Sequence, residues 1–326
     1  MNALFPVPAS LVLSGFTTSP AAASTLPLLA LVPLTDPTLG VHKVTSHTTH
    51  HVVAPPPPVH SDPQHDPIEA WEAVFPQGSI NPGNKDAPRG GFGFYLRGPK
   101  DFAQELRSAS EVLLSYAVMF QDGWMWKKGG KLPGIYGGVG DSAYGCTGGR
   151  QTDRCKCFNL RLMWREHGAG ELYAYVPQNP TNTEQMTSIP PRSVQNPDYG
   201  FSVGMGAWYF APGKWTVVAE RIKMNAVGKS DGEAAICSIS RNDALHAFSS
   251  GEIEVFIDGR SVVRVRGLIL RDETAEDSHV QGLHFQTFFG GHSVEWASPQ
   301  TQRAYFAHLS GAILRSSTSE RTREEL

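Results

Sequence analysis

Between residues 71 and 316 apolar and polar side chains alternate in short runs separated by Gly, Asn, Asp and Pro. Alternation with a period of two places neighbouring side chains on opposite faces of a strand, so the pattern predicts a succession of half-buried strands rather than helices. The clearest hairpin spans residues 252–265, where Asp258-Gly259 supplies the two positive-φ positions of a type I′ turn. Ile253, Val255 and Ile257 then face one way, and Glu252, Glu254 and Phe256 the other. The same reading applies to residues 158–165, 172–176, 215–222 and 283–289. In the first of these Phe158, Leu160, Leu162 and Trp164 share an inner face, leaving Asn159, Arg161, Met163 and Arg165 outside. Leu172, Ala174 and Val176 point inward in the next, so Tyr173 and Tyr175 project together, and His284, Gln286 and Phe288 share a face in the last. Three strands thus offer polar and aromatic groups to one sheet surface, a candidate cleft floor on an all-β sandwich or barrel.

Composition agrees, since 33 glycines and 24 prolines against 18% charged residues favour many turns over long helices. Residues 1–66 are different: rich in Pro, Ala, Ser, Thr and His, without either periodicity, they predict a leader and linker ahead of a single domain at 67–318, with 319–326 a charged tail. Six of the twelve histidines fall between His42 and His65, which a polar low-complexity tract explains without a function. Residues 233–250, with Cys237, interrupt a hairpin approach and read as a surface insertion.

Net charge of −3 gives no global reason to expect nucleic acid, and no stretch of about 18 uninterrupted apolar residues predicts a membrane span. The amino terminus is apolar but has no Lys or Arg before Lys43, and prolines at 6, 8, 20, 27 and 33 interrupt it, so it reads as a poor signal peptide. A monomer is expected. Charge is nonetheless uneven: residues 127–165 hold eight Lys or Arg against Asp141 and Asp153, a local surface fit to meet an anionic ligand. Cys146, Cys155 and Cys157 lack the paired Cys-x2-Cys spacing of structural zinc sites. A disulfide from Cys146 to Cys155 or to Cys157 is expected instead, with no metal and no cofactor.

Lys131, Arg161 and the Tyr173/Tyr175 pair form a set suited to eliminating from a uronate. A carboxylate must be neutralised so that the adjacent C5 proton becomes acidic, which Arg161 with Asn159 can do. A base must take that proton and an acid must protonate the departing O4, roles open to Lys131, Tyr173 and Tyr175. Glycoside hydrolysis would need two carboxylates flanking the bond. The best acidic cluster, Glu252, Glu254 and Asp258, sits on or beside a hairpin and reads as an exposed strand face. A non-catalytic binding module for acidic glycans is the stronger rival, against which Lys131 and the two tyrosines speak.

Several stretches, in order, carry a resemblance: Gly78-Ser-Ile-Asn-Pro-Gly83, Gly90-Gly-Phe-Gly-Phe-Tyr95, Ser115-Tyr-Ala-Val-Met-Phe-Gln-Asp-Gly-Trp124, Gly130-Lys-Leu-Pro-Gly134, Arg161-Leu-Met-Trp-Arg165, Gly170-Glu-Leu-Tyr-Ala-Tyr175 and Phe285-Gln-Thr-Phe-Phe-Gly-Gly291. The chain from 71 to 316 resembles polysaccharide lyase family 14, the jelly-roll alginate and glucuronan lyases, in a fungal-type form. The resemblance implies β-elimination on a 1,4-linked acidic polysaccharide, glucuronan or mannuronate-rich alginate, by an extracellular enzyme. It places the family's lysine of the Lys-Leu-Pro-Gly turn on Lys131, its tyrosine pair on Tyr173 and Tyr175, and its strand arginine on Arg161. Asn159 stands where the family often has serine, and an amide can still donate to a carboxylate. A second cysteine pair that the family often carries around residues 186–195 is missing here. His284 and Gln286 are subsite candidates, while Trp296 reads equally as structural.

Overall fold

A computed structural model describes residues 2–59, 66–227 and 251–316. The insertion expected at 233–250 with Cys237, and the tail at 319–326, lie outside the described residues. Two sheets face each other. The back sheet runs Arg260–Leu268, Gly251–Ile257, Trp215–Lys223, Ala109–Phe120, Gln302–Ser316, Ser14–Thr17 and Leu29–Leu31, with Ala70–Phe75 also paired to Gln302–Ser316. The front sheet runs Val194–Asn196, Gly200–Val203, Gly170–Tyr175, Cys157–Trp164, Gly130–Gly138, His279–Phe289, Phe92–Leu96 and Val41–His42. Pairing is antiparallel except between Ser14–Thr17 and Leu29–Leu31. This is the expected jelly-roll sandwich.

Alternation decides what lies between the sheets. Phe158, Leu160, Leu162 and Trp164 of one front strand and Leu172, Ala174 and Val176 of the next meet Val218, Ile222, Ile253, Val255 and Ile257 from behind in one hydrophobic core. The 252–265 hairpin turns as read, with positive φ at both Asp258 (48°) and Gly259 (78°). Phe92, Phe94 and Phe285 stack nearly parallel, and Trp71 meets Phe94 and Phe285 edge-on. Each such pair adds roughly 0.5–1.5 kcal/mol beyond the area it buries. The aromatic block therefore fixes the spacing of the sheets behind the cleft.

The reading of residues 1–66 as leader and linker is corrected for most of that span. Ser14–Thr17 pairs with Gln302–Ser316, Val41–His42 extends the front sheet beside Phe92–Leu96, and Phe16 packs edge-on against Phe102 in the core. The strands here are only two to four residues long, too short for periodicity to declare itself. Proline misled in the same way: Pro20 opens the helix Pro20–Thr25 behind the N-cap Ser19, a position where the missing N–H costs nothing. The histidine-rich tract contributes to packing, with His50 held by Asp36 and wedged against Trp71, Phe92 and Phe94.

Of the two disulfides the spacing allowed, Cys146–Cys157 forms, and Cys155 is free. The bridge closes the loop between Gly130–Gly138 and Cys157–Trp164 at a separation of 11 residues. Closing a loop of this size contributes on the order of 2–4 kcal/mol in the chain-entropy account. Its further effect is positional, because Thr147 and Arg154, both inside the loop, touch residues of the front sheet.

Candidate active site

The front sheet's outer face is built by the side chains that alternation excludes from the core. Register brings Tyr173 beside Arg161, Tyr175 beside Asn159 and Met163 beside Lys131 across neighbouring strands. Lys131 sits near the start of Gly130–Gly138, where the expected turn is instead a strand with a register shift between Leu132 and Gly134. Proline is tolerated within a sheet chiefly at such irregularities. At Gly134 an added Cβ would lie 2.2 Å from the Leu160 carbonyl oxygen, so only glycine lets this strand approach the one carrying Arg161 so closely.

At this irregularity the back sheet reaches two backbone groups of the strand. Tyr116 Oη donates to the Pro133 carbonyl at 3.0 Å, and the Ile135 N–H donates to Glu220 Oε2 at 2.7 Å. Tyr116 and Glu220 are buried on adjacent back strands, and burial pushes the Glu220 carboxyl well above the ordinary range despite the Ile135 bond. A buried acid with that bias is held protonated, which avoids an unpaired charge in the core.

On the cleft side, Lys131 Nζ lies 3.2 Å from the centroid of the Tyr173 ring and 2.7 Å from Met163 Sδ. Burial, then the nearby Arg161 and Arg165, hold its pKa well below the usual lysine range, while Glu171 pulls the other way. Glu171 is itself fully buried and answered by Arg165 and by Ser202 Oγ. Burial and the adjacent Tyr175 raise the Tyr173 pKa, with Arg161 and Arg165 opposing. The surroundings thus favour the neutral amine of Lys131 and the protonated phenol of Tyr173.

Arg161 is 2% exposed. Its Nη1 donates to Gln286 Oε1 at 2.7 Å and its Nη2 to Thr147 Oγ1 at 3.3 Å, and its buried Nε has no partner among the described residues. No carboxylate pairs with it there either. A guanidinium stays charged in any such environment, so this is a buried cation whose anion the described residues do not provide. Beside it, Asn159 Nδ2 bonds His284 Nδ1 at 2.9 Å, and His284 stacks on Tyr95 with centroids 4.2 Å apart. Burial and then Arg161 keep His284 neutral, so Nδ1 accepts from the amide and the Asn159 Oδ1 is left without a partner among the described residues.

All seven catalytic and binding candidates therefore lie on one sheet face. Gln286 and His284, read as subsite residues, also orient Arg161 and Asn159. Thr147, Tyr95, Glu171 and Arg154, whose guanidinium lies 4.9 Å over the Tyr175 ring, were not singled out from sequence. Tyr95 and Glu171 stood within the motifs that carried the resemblance; Thr147 and Arg154 lie in a loop without periodicity, beside cysteines that gave a signal only for themselves. The acidic cluster weighed for hydrolysis is elsewhere: Glu252 and Glu254 are on the back sheet, tied to Arg221 at 2.8 and 3.1 Å, and Asp258 pairs with Lys214.

Comparison with known proteins agrees with this geometry. No curated protein sequence matches the chain. Among solved structures, the PL-14 alginate lyase of Aplysia kurodai is 26% identical with a TM-score of 0.64, over 93% of this chain and 99% of that one. The alginate lyase vAL-1 from Chlorella virus is 17% identical with a TM-score of 0.57 over the same shares, and alginate lyase Aly36B 18% identical with 0.51 over 78% and 84%; these two speak to the fold alone. The family model of polysaccharide lyase 14 matches residues 64–248 and 236–309, most of the chain. The chain belongs to polysaccharide lyase family 14.

Proposed function

We propose that this protein cleaves a 1,4-linked polyuronate, glucuronan or mannuronate-rich alginate, by β-elimination, with Lys131 as base and Tyr173 as acid. The observation that carries the reading is the buried Arg161, without an anion among the described residues, next to an amine and a phenol whose surroundings favour their neutral forms. Arg161 and Asn159 take the carboxylate of the sugar at the scissile bond, which makes its C5 proton acidic enough to remove. The C5–H bond breaks toward Lys131 Nζ, a C4–C5 double bond forms, and the C4–O4 bond breaks as Tyr173 gives its proton to O4. Lys131 ends with one proton more and Tyr173 with one fewer, so transfer between them restores the site and no oxidant or co-reactant is consumed. Mannuronate and glucuronate share the C5 configuration, so one arrangement serves both. The Cys146–Cys157 bridge supports an extracellular setting, where such bonds persist.

Purified protein incubated with glucuronan and with alginate, with and without chelator, is expected to give a chelator-resistant rise in the ultraviolet absorbance of unsaturated uronate on at least one polymer. Retained binding without any rise would make the protein a non-catalytic glycan-binding module.

A further inference from the structure

One end of the front sheet carries a second basic group that the elimination does not use. Tyr144, at the end of the short turn Gly140–Tyr144, is its centre. Its hydroxyl meets His42 Nε2 at 2.9 Å and Arg97 Nη2 at 2.8 Å, Lys43 Nζ lies 4.4 Å over its ring, and Arg150 Nη1 reaches its carbonyl at 3.4 Å. None of Lys43, Arg97 and Arg150 forms an ion pair among the described residues, and Asp141, three positions from Tyr144, does not answer them. Burial, with Arg97 and Lys43 adding to it and the Gly40 carbonyl opposing, depresses the pKa of His42, so the histidine adds no fourth charge. Collecting exposed like charges around one hydroxyl without a carboxylate is unfavourable by itself and becomes favourable when an anion arrives.

The group is joined to the Lys131 site by a chain of side-chain contacts. From Arg161 it passes through Asn159 and His284 to Tyr95, which stacks on His284, and on to Tyr144, whose ring centroid lies 4.8 Å from that of Tyr95. The strand order places Val41–His42 three inter-strand steps from Gly130–Gly138, the strand of Lys131, roughly 14 Å at ~4.8 Å per step. A polymer crossing the strands from Lys131 in this direction meets aromatic rings and then cations, while a short oligomer held at Lys131 does not reach them.

We propose that Arg97, Lys43 and Arg150, gathered around Tyr144, form a distal subsite that binds the carboxylate of a second uronate unit in the same polymer whose linkage is cut at Lys131. This rests on the polyuronate reading above. The subsite makes the protein length-selective: longer chains gain a charge-assisted contact that short ones lack.

The test uses size-defined oligouronates from two units upward and the full-length protein, comparing wild type with Arg97→Ala, the Lys43→Ala/Arg97→Ala double variant and Arg97→Lys. Both KM for release of unsaturated ends and calorimetric affinity in the same series are measured. The alanine variants are expected to lose about tenfold in KM and in affinity on long oligomers only, to match wild type on the shortest, and to be partly rescued by Arg97→Lys. In wild type the advantage of long over short substrates should shrink as salt rises. Equal values for variant and wild type at every length, or an equal loss at every length, would overturn the subsite. If wild type bound but released no unsaturated ends, the elimination would fail, and the length dependence of affinity would still decide the subsite by itself.

Discussion

Lys131→Ala is expected to lower kcat by about 10²–10⁴ while leaving polymer affinity within a few-fold of wild type, the range a positioned general base supplies. The amine touches the Tyr173 ring and Met163 rather than a carboxylate, so its removal takes away a proton acceptor and leaves the Arg161 anion site in place. Lys131→Arg separates two explanations. A guanidinium keeps the positive charge but does not give up its proton, so it should be as inactive as alanine if Lys131 is the base. Retained activity in that variant would make Lys131 a charge that stabilises the intermediate. The pH dependence has a definite sign: a base works deprotonated, so kcat/KM of wild type should rise with pH through the lowered Lys131 pKa and level off below the ordinary lysine range. The Lys131→Ala residual rate should lack that limb.

Arg161→Ala is expected to lose roughly 10²–10³ in kcat, comparable to removal of a group aimed at developing negative charge, and to raise KM as well. Both parameters should move if, as proposed, the guanidinium meets the substrate carboxylate before the proton leaves and the enolate-like charge afterward. Arg161→Lys should recover part of kcat, since charge returns without the fork that Gln286 and Thr147 hold. Methyl-esterified polymer provides the control. If Arg161 acts on the carboxylate, wild type should be far slower on the ester, and the variant should lose little more there. An unchanged ratio between wild type and variant on acid and ester would assign Arg161 to holding the fold.

How far the sequence carried differs by element. Strands with five or more alternating residues disclosed their buried faces, because a period of two leaves one choice of register toward the core; Phe158 to Trp164 and Ile253 to Ile257 are the plainest cases. The same alternation put Arg161, Asn159, Tyr173 and Tyr175 on the opposite face. The short strands before residue 66 were hidden because two residues carry no period, and their partners lie far away in the chain. The cysteine spacing admitted two bridges, and only the three-dimensional path of the loop chose between them. Tyr116 and Glu220 stayed invisible for another reason. Each sits in an ordinary alternating strand, and their purpose appears only when the opposite sheet presents a carbonyl and an N–H to them.

That brace ties the stability of the fold to pH. Because the folded chain holds the Glu220 proton more tightly than the unfolded chain does, the favourable contribution is complete below the ordinary glutamate pKa near ~4.3 and drains away as pH climbs through the raised value. Lys131 gains from the same climb. Turnover and structural integrity are thus driven in opposite directions by one variable, the first at the cleft surface and the second beneath the strand that carries it. Glu220→Gln, neutral at every pH and still able to accept from Ile135, should flatten the fall in melting temperature as pH rises above the ordinary glutamate range. Wild type and variant melting alike across that range would place the cause of the fall elsewhere. The loss of stability with rising pH is then a property of the core rather than of the cleft, and one substitution on the far sheet can shift it without touching the cleft.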